Sequence, residues 1–212
     1  MHRTNSVGGI YLAAGQSTRM GTNKLRLPLG SKRLGNYALA AALNSQLEHV
    51  WVITGEEEAD WIDSAFYREP VKRKWSVVSC PEARSGQSRS LKCGVEAAMS
   101  TDLSAVMILL ADQPCVSSMM IDELLGHYYA GQDERNIDYA AASFNGLARP
   151  PVIFDRRMFP ELLRLQGDQG ARYLIREGGS GAHVDFANPD YFRDVDTMED
   201  YSSLLRTSLW KS

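Results

Sequence analysis

Gly15, Ser17, Arg19, Gly21 and Lys24 crowd one short stretch, Leu12-Ala13-Ala14-Gly15-Gln16-Ser17-Thr18-Arg19-Met20-Gly21, with Lys24 just beyond it. Glycines let backbone amides approach a phosphate closely, a serine hydroxyl adds a donor, and arginine and lysine neutralise triphosphate charge. The spacing is neither a Walker motif nor the dinucleotide fingerprint. Before Glu48 there is no Asp or Glu, whereas Arg3, Arg19, Lys24, Arg26, Lys32 and Arg33 are basic, so this segment holds a positive potential that attracts a polyanion. A solvated basic face is the plain alternative, and the glycines among the bases favour a phosphate site.

Three further segments carry polar groups suited to the same ligand. Asp112 closes an apolar run as Leu109-Leu110-Ala111-Asp112-Gln113-Pro114, and Asp196 lies in Asp194-Val195-Asp196-Thr197-Met198-Glu199-Asp200. An Asp after a strand is often only a turn or cap residue. Asp196 could cap a closing helix, a role that Thr197 with Asp200 fills equally well. Ser85-Gly86-Gln87-Ser88-Arg89-Ser90 opens a helix, where unpaired amides and hydroxyls can read a base edge, or where Ser88 simply caps.

The elements that must position these residues alternate. Apolar, near-continuous strands are expected at 7–12, 49–54, 75–79, 105–110, 139–144, 152–154 and 183–186, and helices at 37–43, 59–66, 88–99, 118–129, 158–165, 171–177 and 197–207. This alternation predicts a three-layer α/β fold, a mostly parallel sheet with helices on both faces, in one domain spanning 1–212, with ligands bound outside the carboxyl ends of the strands.

Composition narrows the function. The net charge of -3 argues against non-specific nucleic-acid binding, and no apolar run approaches the roughly 20 residues of a membrane span. No signal-peptide pattern opens the chain, so a cytoplasmic protein is expected. Cys80, Cys93 and Cys115 lack metal or framework spacing and are expected as reduced, mostly buried thiols, and the scattered His2, His49, His127 and His183 suggest no metal site.

On the Leu12–Gly21 loop with Lys24, the sequence resembles the MobA-like nucleotidyltransferase family, whose signature is LAAG or LAGG, then SxRMG, then Lys. The resemblance runs from the first strand to the closing helix and implies a Rossmann-like nucleotidyltransferase fold. It implies nucleotide binding by Leu12, Ala13, Ala14, Gly15, Ser17, Arg19, Lys24, Gly86, Ser88 and Ser90, with Arg19 and Lys24 catalytic. Ala14 in place of glycine is similar to the molybdenum cofactor cytidylyltransferase branch that serves xanthine dehydrogenase, which implies CTP over GTP. The ADxP motif and the D-x-D-T-x-E-D element imply Mg²⁺ at Asp112 and Asp196, and a small set of carboxylates completed by water and phosphate oxygens suits that ion. The GDxGAR element, Gly167-Asp168-Gln169-Gly170-Ala171-Arg172, implies a second substrate at Asp168 and Arg172. Arg149 and Pro150 stand where the family has Gly-His-Pro or a similar turn before a strand. An arginine there could pair with an anionic pterin phosphate. The implied acceptor is molybdopterin cofactor, for a client molybdoenzyme. A sugar phosphate acceptor and a non-catalytic cofactor-binding role are the alternatives.

Overall fold

The computed structural model describes residues 6–55, 59–176, 179–207 and 210. His2, Arg3 and Glu177 lie outside them. In chain order the elements are β1 (Val7–Leu12), β2 (Pro28–Leu29), β3 (Lys32–Arg33), α1 (Asn36–Leu43), β4 (Val50–Thr54), β5 (Trp75–Ser79), α2 (Gln87–Met99), β6 (Ala105–Leu110), α3 (Ser118–Arg135), β7 (Tyr139–Phe144), β8 (Leu147–Asp155), α4 (Phe159–Arg164), α5 (Arg172–Arg176), β9 (Gly181–Asp185) and α6 (Met198–Leu205).

A seven-stranded sheet runs in the order β5-β4-β1-β6-β8-β7-β9, with β2 and β3 forming a small separate ribbon. Every pairing in the large sheet is parallel except those of β8 with β6 and with β7, so β8 alone runs against the rest. Both faces are covered. On one, Leu39 and Ala42 of α1, Ile121 and Leu124 of α3 and Leu204 of α6 pack on Tyr11, Val52 and Met107. On the other, Leu91 and Val95 of α2 and Phe159 and Leu162 of α4 pack on Ile10, Ile53, Val106 and Ile108. Strands buried from both sides need apolar residues at every position, which is why they read as continuous runs rather than alternating ones. This is the expected three-layer α/β fold.

Several local expectations are corrected. Residues 59–66 do not form a helix: Trp61 and Ile62 are buried in a turn, and a 3-10 turn follows at Ser64–Tyr67. The buried Asn36 side chain replaces helical bonding there, donating to Trp61 O (2.7 Å) and accepting from Asp63 N (2.8 Å). α3 continues past Tyr129 to Arg135, closing on Asn136 in the left-handed region. The strand expected at 152–154 begins at Leu147, because Asn145 (φ 51) and Gly146 (φ 74) make a tight hairpin turn of the kind that Asn-Gly favours. Arg149 and Pro150 therefore sit within β8 rather than in a turn before it. Cys80 and Cys93, expected as thiols, are joined in a disulfide, and Cys115 is free. Their separation of 13 residues matches no framework spacing, yet β5 and α2 bring their Cα atoms to 6.2 Å, within disulfide reach. Among the described residues, no helix is long and apolar enough to cross a membrane.

Candidate active site

The register of the sheet sets the site. Leu12 at the end of β1 lies beside Leu110 at the end of β6, so the loop after β1 and Asp112 emerge side by side from the carboxyl edge. A hydrogen bond from Ala111 N to Leu12 O (3.1 Å) carries that pairing one step past the strands. The closing segment joins the same edge, with Val195 N donating to Asp112 O (3.0 Å).

These contacts bring two carboxylates to one cation. Lys24 Nζ lies 2.6 Å from Asp112 Oδ2 and 3.1 Å from Asp196 Oδ1, and the Arg19 guanidinium reaches Asp196 Oδ2 at 3.2 Å. Lys24 is buried, at 8% exposure, whereas Arg19 is largely in solvent. The loop that holds Lys24 turns at Ser17, which adopts φ 50, and Ser17 Oγ accepts the backbone N–H of Lys24 at 3.2 Å. Ser17 thus shapes the loop with its oxygen while its hydroxyl proton remains able to donate.

Asp196 is not the helix cap. Thr197 occupies that position at the start of α6 and forms a reciprocal capping box with Asp200. Asp200 Oδ2 accepts from both Thr197 N (2.8 Å) and Asp196 N (3.1 Å). The Thr197 hydroxyl and these amides hold the Asp200 carboxyl below its ordinary range. The structural demand is met next door, and Asp196 projects its carboxylate into the cleft.

That cleft has a volume of about 530 Å³. It is lined by Leu12, Ala13, Ala14, Gly15, Ser17, Arg19, Lys24, Gly86, Ser90, Asp112, Asp168 and Asp196 among the expected residues, together with Ser85 and Gln87 of the expected base-reading segment and with Gln16, Thr18 and Arg84, which the sequence did not single out. Gln16 Nε2 donates to Arg84 O at 3.3 Å, a contact that joins the two walls. An adjoining cavity of about 440 Å³ shares Leu12, Gln87, Leu110 and Asp168 with the cleft and adds Pro150 and Arg172. Two expected residues are not brought into either space. Ser88 is buried at 1% exposure and does not cap α2, whose start is held by Gly86. Arg149 is half-buried on β8 beside Pro150.

Gly86 is fixed by geometry. Its φ of 126 lies where side chains are strained, and a Cβ there would run into the Gly167 carbonyl of the 167–172 segment. Gly86→Ala is expected to cost about 1–3 kcal/mol of stability from backbone strain alone. It should also push Ser85–Gln87 away from the cleft, which thermal unfolding and the KM for nucleotide would register together.

Asp194 stands behind the cleft. Its carboxyl is raised above the ordinary range, first by burial and then by the charge of Asp112, against the hydrogen bond from Gln113. Asp112 and Asp196 offer hard oxygen donors from two separate segments, already close enough to share one cation. Among the described residues, no three His, Cys, Asp or Glu gather as a metal cluster. The pair fits a magnesium-type ion that takes its remaining ligands from water and phosphate.

The sequence matches known proteins along most of its length. Residues 9–184 match the MobA-like NTP transferase domain family. The chain is 38% identical over 202 residues to the purine catabolism protein PucB of Bacillus subtilis, covering 93% of this chain and 95% of PucB. The crystal structure of Rv0371c from Mycobacterium tuberculosis superposes with a TM-score of 0.77 at 25% identity, covering 96% of this chain and 100% of that one. A second structure of that protein, in complex with manganese, gives 0.69 at 21% identity over 95% and 98% of the two chains, a likeness of fold. With the loop, the sheet order and this match over most of the chain in agreement, the protein belongs to the MobA-like NTP transferase domain family of nucleotidyltransferases.

Proposed function

We propose that the protein is a cytoplasmic molybdenum cofactor cytidylyltransferase, which transfers CMP from CTP to molybdopterin cofactor with release of pyrophosphate and supplies a xanthine dehydrogenase-type client. The observation that carries the transferase reading is the buried Lys24 ammonium between Asp112 and Asp196, under a Gly-rich loop at the carboxyl edge of the sheet. Ala14 in the loop favours CTP, and the similarity to a protein named for purine catabolism supports the client.

In this reading the triphosphate lies along the Leu12–Ser17 loop, which lines the cleft, with Ser85–Ser90 against the base and ribose. The acceptor enters through the adjoining cavity past Asp168 and Arg172, and Arg172 is the cation there that can meet its phosphate. A terminal phosphate oxygen of the acceptor attacks the α-phosphorus, a new P–O–P bond forms, and the bond to the β-phosphate oxygen breaks. Arg19 and Lys24 take up the charge of the departing pyrophosphate, so catalysis is positioning plus charge stabilisation with no covalent enzyme intermediate. Asp112 and Asp196 would hold Mg²⁺, which when bound supplies Lewis-acid stabilisation of the reacting phosphate oxygens. Each other part of the work falls to the chain's own donors and cations.

Pyrophosphate release measured with Mg²⁺ and molybdopterin cofactor, with CTP, GTP and ATP in parallel, tests this. Release with CTP alone is expected. Release with GTP would overturn the base assignment, and cofactor binding without release would point to an accessory role.

A further inference from the structure

Gln113 and Asp194 line neither cavity, yet they sit beside the two residues that matter most. Gln113 follows Asp112 and is buried at 1% exposure, and its Nε2 donates to Asp194 Oδ1 at 2.8 Å. The amide orientation is fixed by its partner, because an ionised carboxylate only accepts. Gln113 Oε1 has no partner among the described residues, so the contact this buried amide makes there is the one to Asp194. Alongside, Val195 N donates to Asp112 O at 3.0 Å. Two hydrogen bonds therefore tie residues 112 and 113 at the end of β6 to residues 194 and 195.

We propose that the Gln113–Asp194 pair is a positioning clamp that fixes the separation of the Asp112 and Asp196 carboxylates. The inference rests on those two holding the metal. Asp196 is anchored on its far side by the capping box, through Asp200, and on its near side by this clamp. Without the clamp, the backbone hydrogen bond from Val195 is left to join residues 112–113 to residues 194–195, and the half-buried Asp194 carboxylate loses its donor. A ligand held by two carboxylates from distant segments needs their spacing set before it arrives, and such supporting contacts are where geometry is fixed.

The test is Mn²⁺ affinity, read by electron paramagnetic resonance with and without CTP, on the wild type and on Asp194→Asn, Asp194→Ala, Gln113→Leu and Asp112→Asn, with thermal unfolding alongside. The amide introduced by Asp194→Asn would still accept from Gln113 but carry no charge. Asp194→Asn should hold Mn²⁺ within about threefold of wild type, whereas Asp194→Ala and Gln113→Leu, which lose the hydrogen bond, weaken it about 10-fold or more. The KM for metal–CTP should rise in these two while the KM for acceptor stays. If Asp194→Asn and Asp194→Ala weaken binding equally, Asp194 acts by its charge as a ligand and the clamp is overturned. It is equally overturned if Asp194→Ala binds like wild type. Should Gln113→Leu fail to fold, the two Asp194 variants decide alone. Unchanged Mn²⁺ affinity in Asp112→Asn would instead sink the underlying metal assignment, a result separate from either.

Discussion

Lys24→Ala is expected to lower kcat about 10³-fold while the circular dichroism spectrum stays that of the wild type, the upper end of what removal of one preorganised stabilising group costs. Lys24 is the buried cation of the cleft, and among the described residues its ammonium has no buried substitute there, since Arg19 is largely in solvent and pairs with Asp196 but not Asp112. The same variant carries a second expectation of opposite sign. In the free protein the lysine neutralises Asp112 and Asp196, so a divalent ion held by them, as proposed, would have to compete with it for both carboxylates. With the lysine gone, Mn²⁺ binding in the absence of nucleotide should tighten even as turnover collapses. Wild-type turnover in this variant would remove the basis for the proposed function. Weaker rather than tighter Mn²⁺ binding would show that Lys24 supports the metal geometry instead of opposing it.

The second large effect concerns the carboxylates as a unit. Asp112→Ala and Asp196→Ala should each reduce kcat by about 10²–10³, and the double variant should be little worse than the poorer single one, because groups that act through one shared ion are not additive. Stability should behave the other way. Each single variant leaves Lys24 with one carboxylate, but the double variant leaves a buried ammonium with none, a situation that costs about 3–5 kcal/mol. Steady-state kinetics and denaturant unfolding of all three variants check both halves. Additive kinetic losses would mean that the two residues do separate jobs.

Much of this arrangement can be read from sequence because parallel strands buried on both faces announce themselves. The expected strands at 7–12, 75–79, 105–110 and 139–144 coincide with β1, β5, β6 and β7. The Gly-rich loop and Asp112 are legible for the same reason, since each follows such a run. Asp196 is ambiguous in sequence, as a helix start offers several residues fit to cap it, and only the observed Thr197–Asp200 box assigns that duty. The false helix at 59–66 has helical spacing of apolar residues. What sequence does not show is that Asn36, more than 20 positions earlier, satisfies that backbone instead. The early start of β8 is signalled by Asn145-Gly146, a stronger turn cue than the Arg149-Pro150 pair. Gln113 and Asp194 carry no local signal at all, because a clamp between two segments exists only once both are folded.

The ion pair of Lys24 with Asp196 spans 172 positions of sequence. At a synthesis rate of about 5–20 residues per second, roughly 10–30 s separate the appearance of the lysine from that of its second carboxylate on the ribosome. Asp112 follows the lysine by 88 positions, about half-way through that interval, so the Gly-rich loop first exists without either acid and then with Asp112 alone. A nascent chain can therefore meet nucleotide with its basic half alone, and competence for turnover arrives late, when the last helix docks.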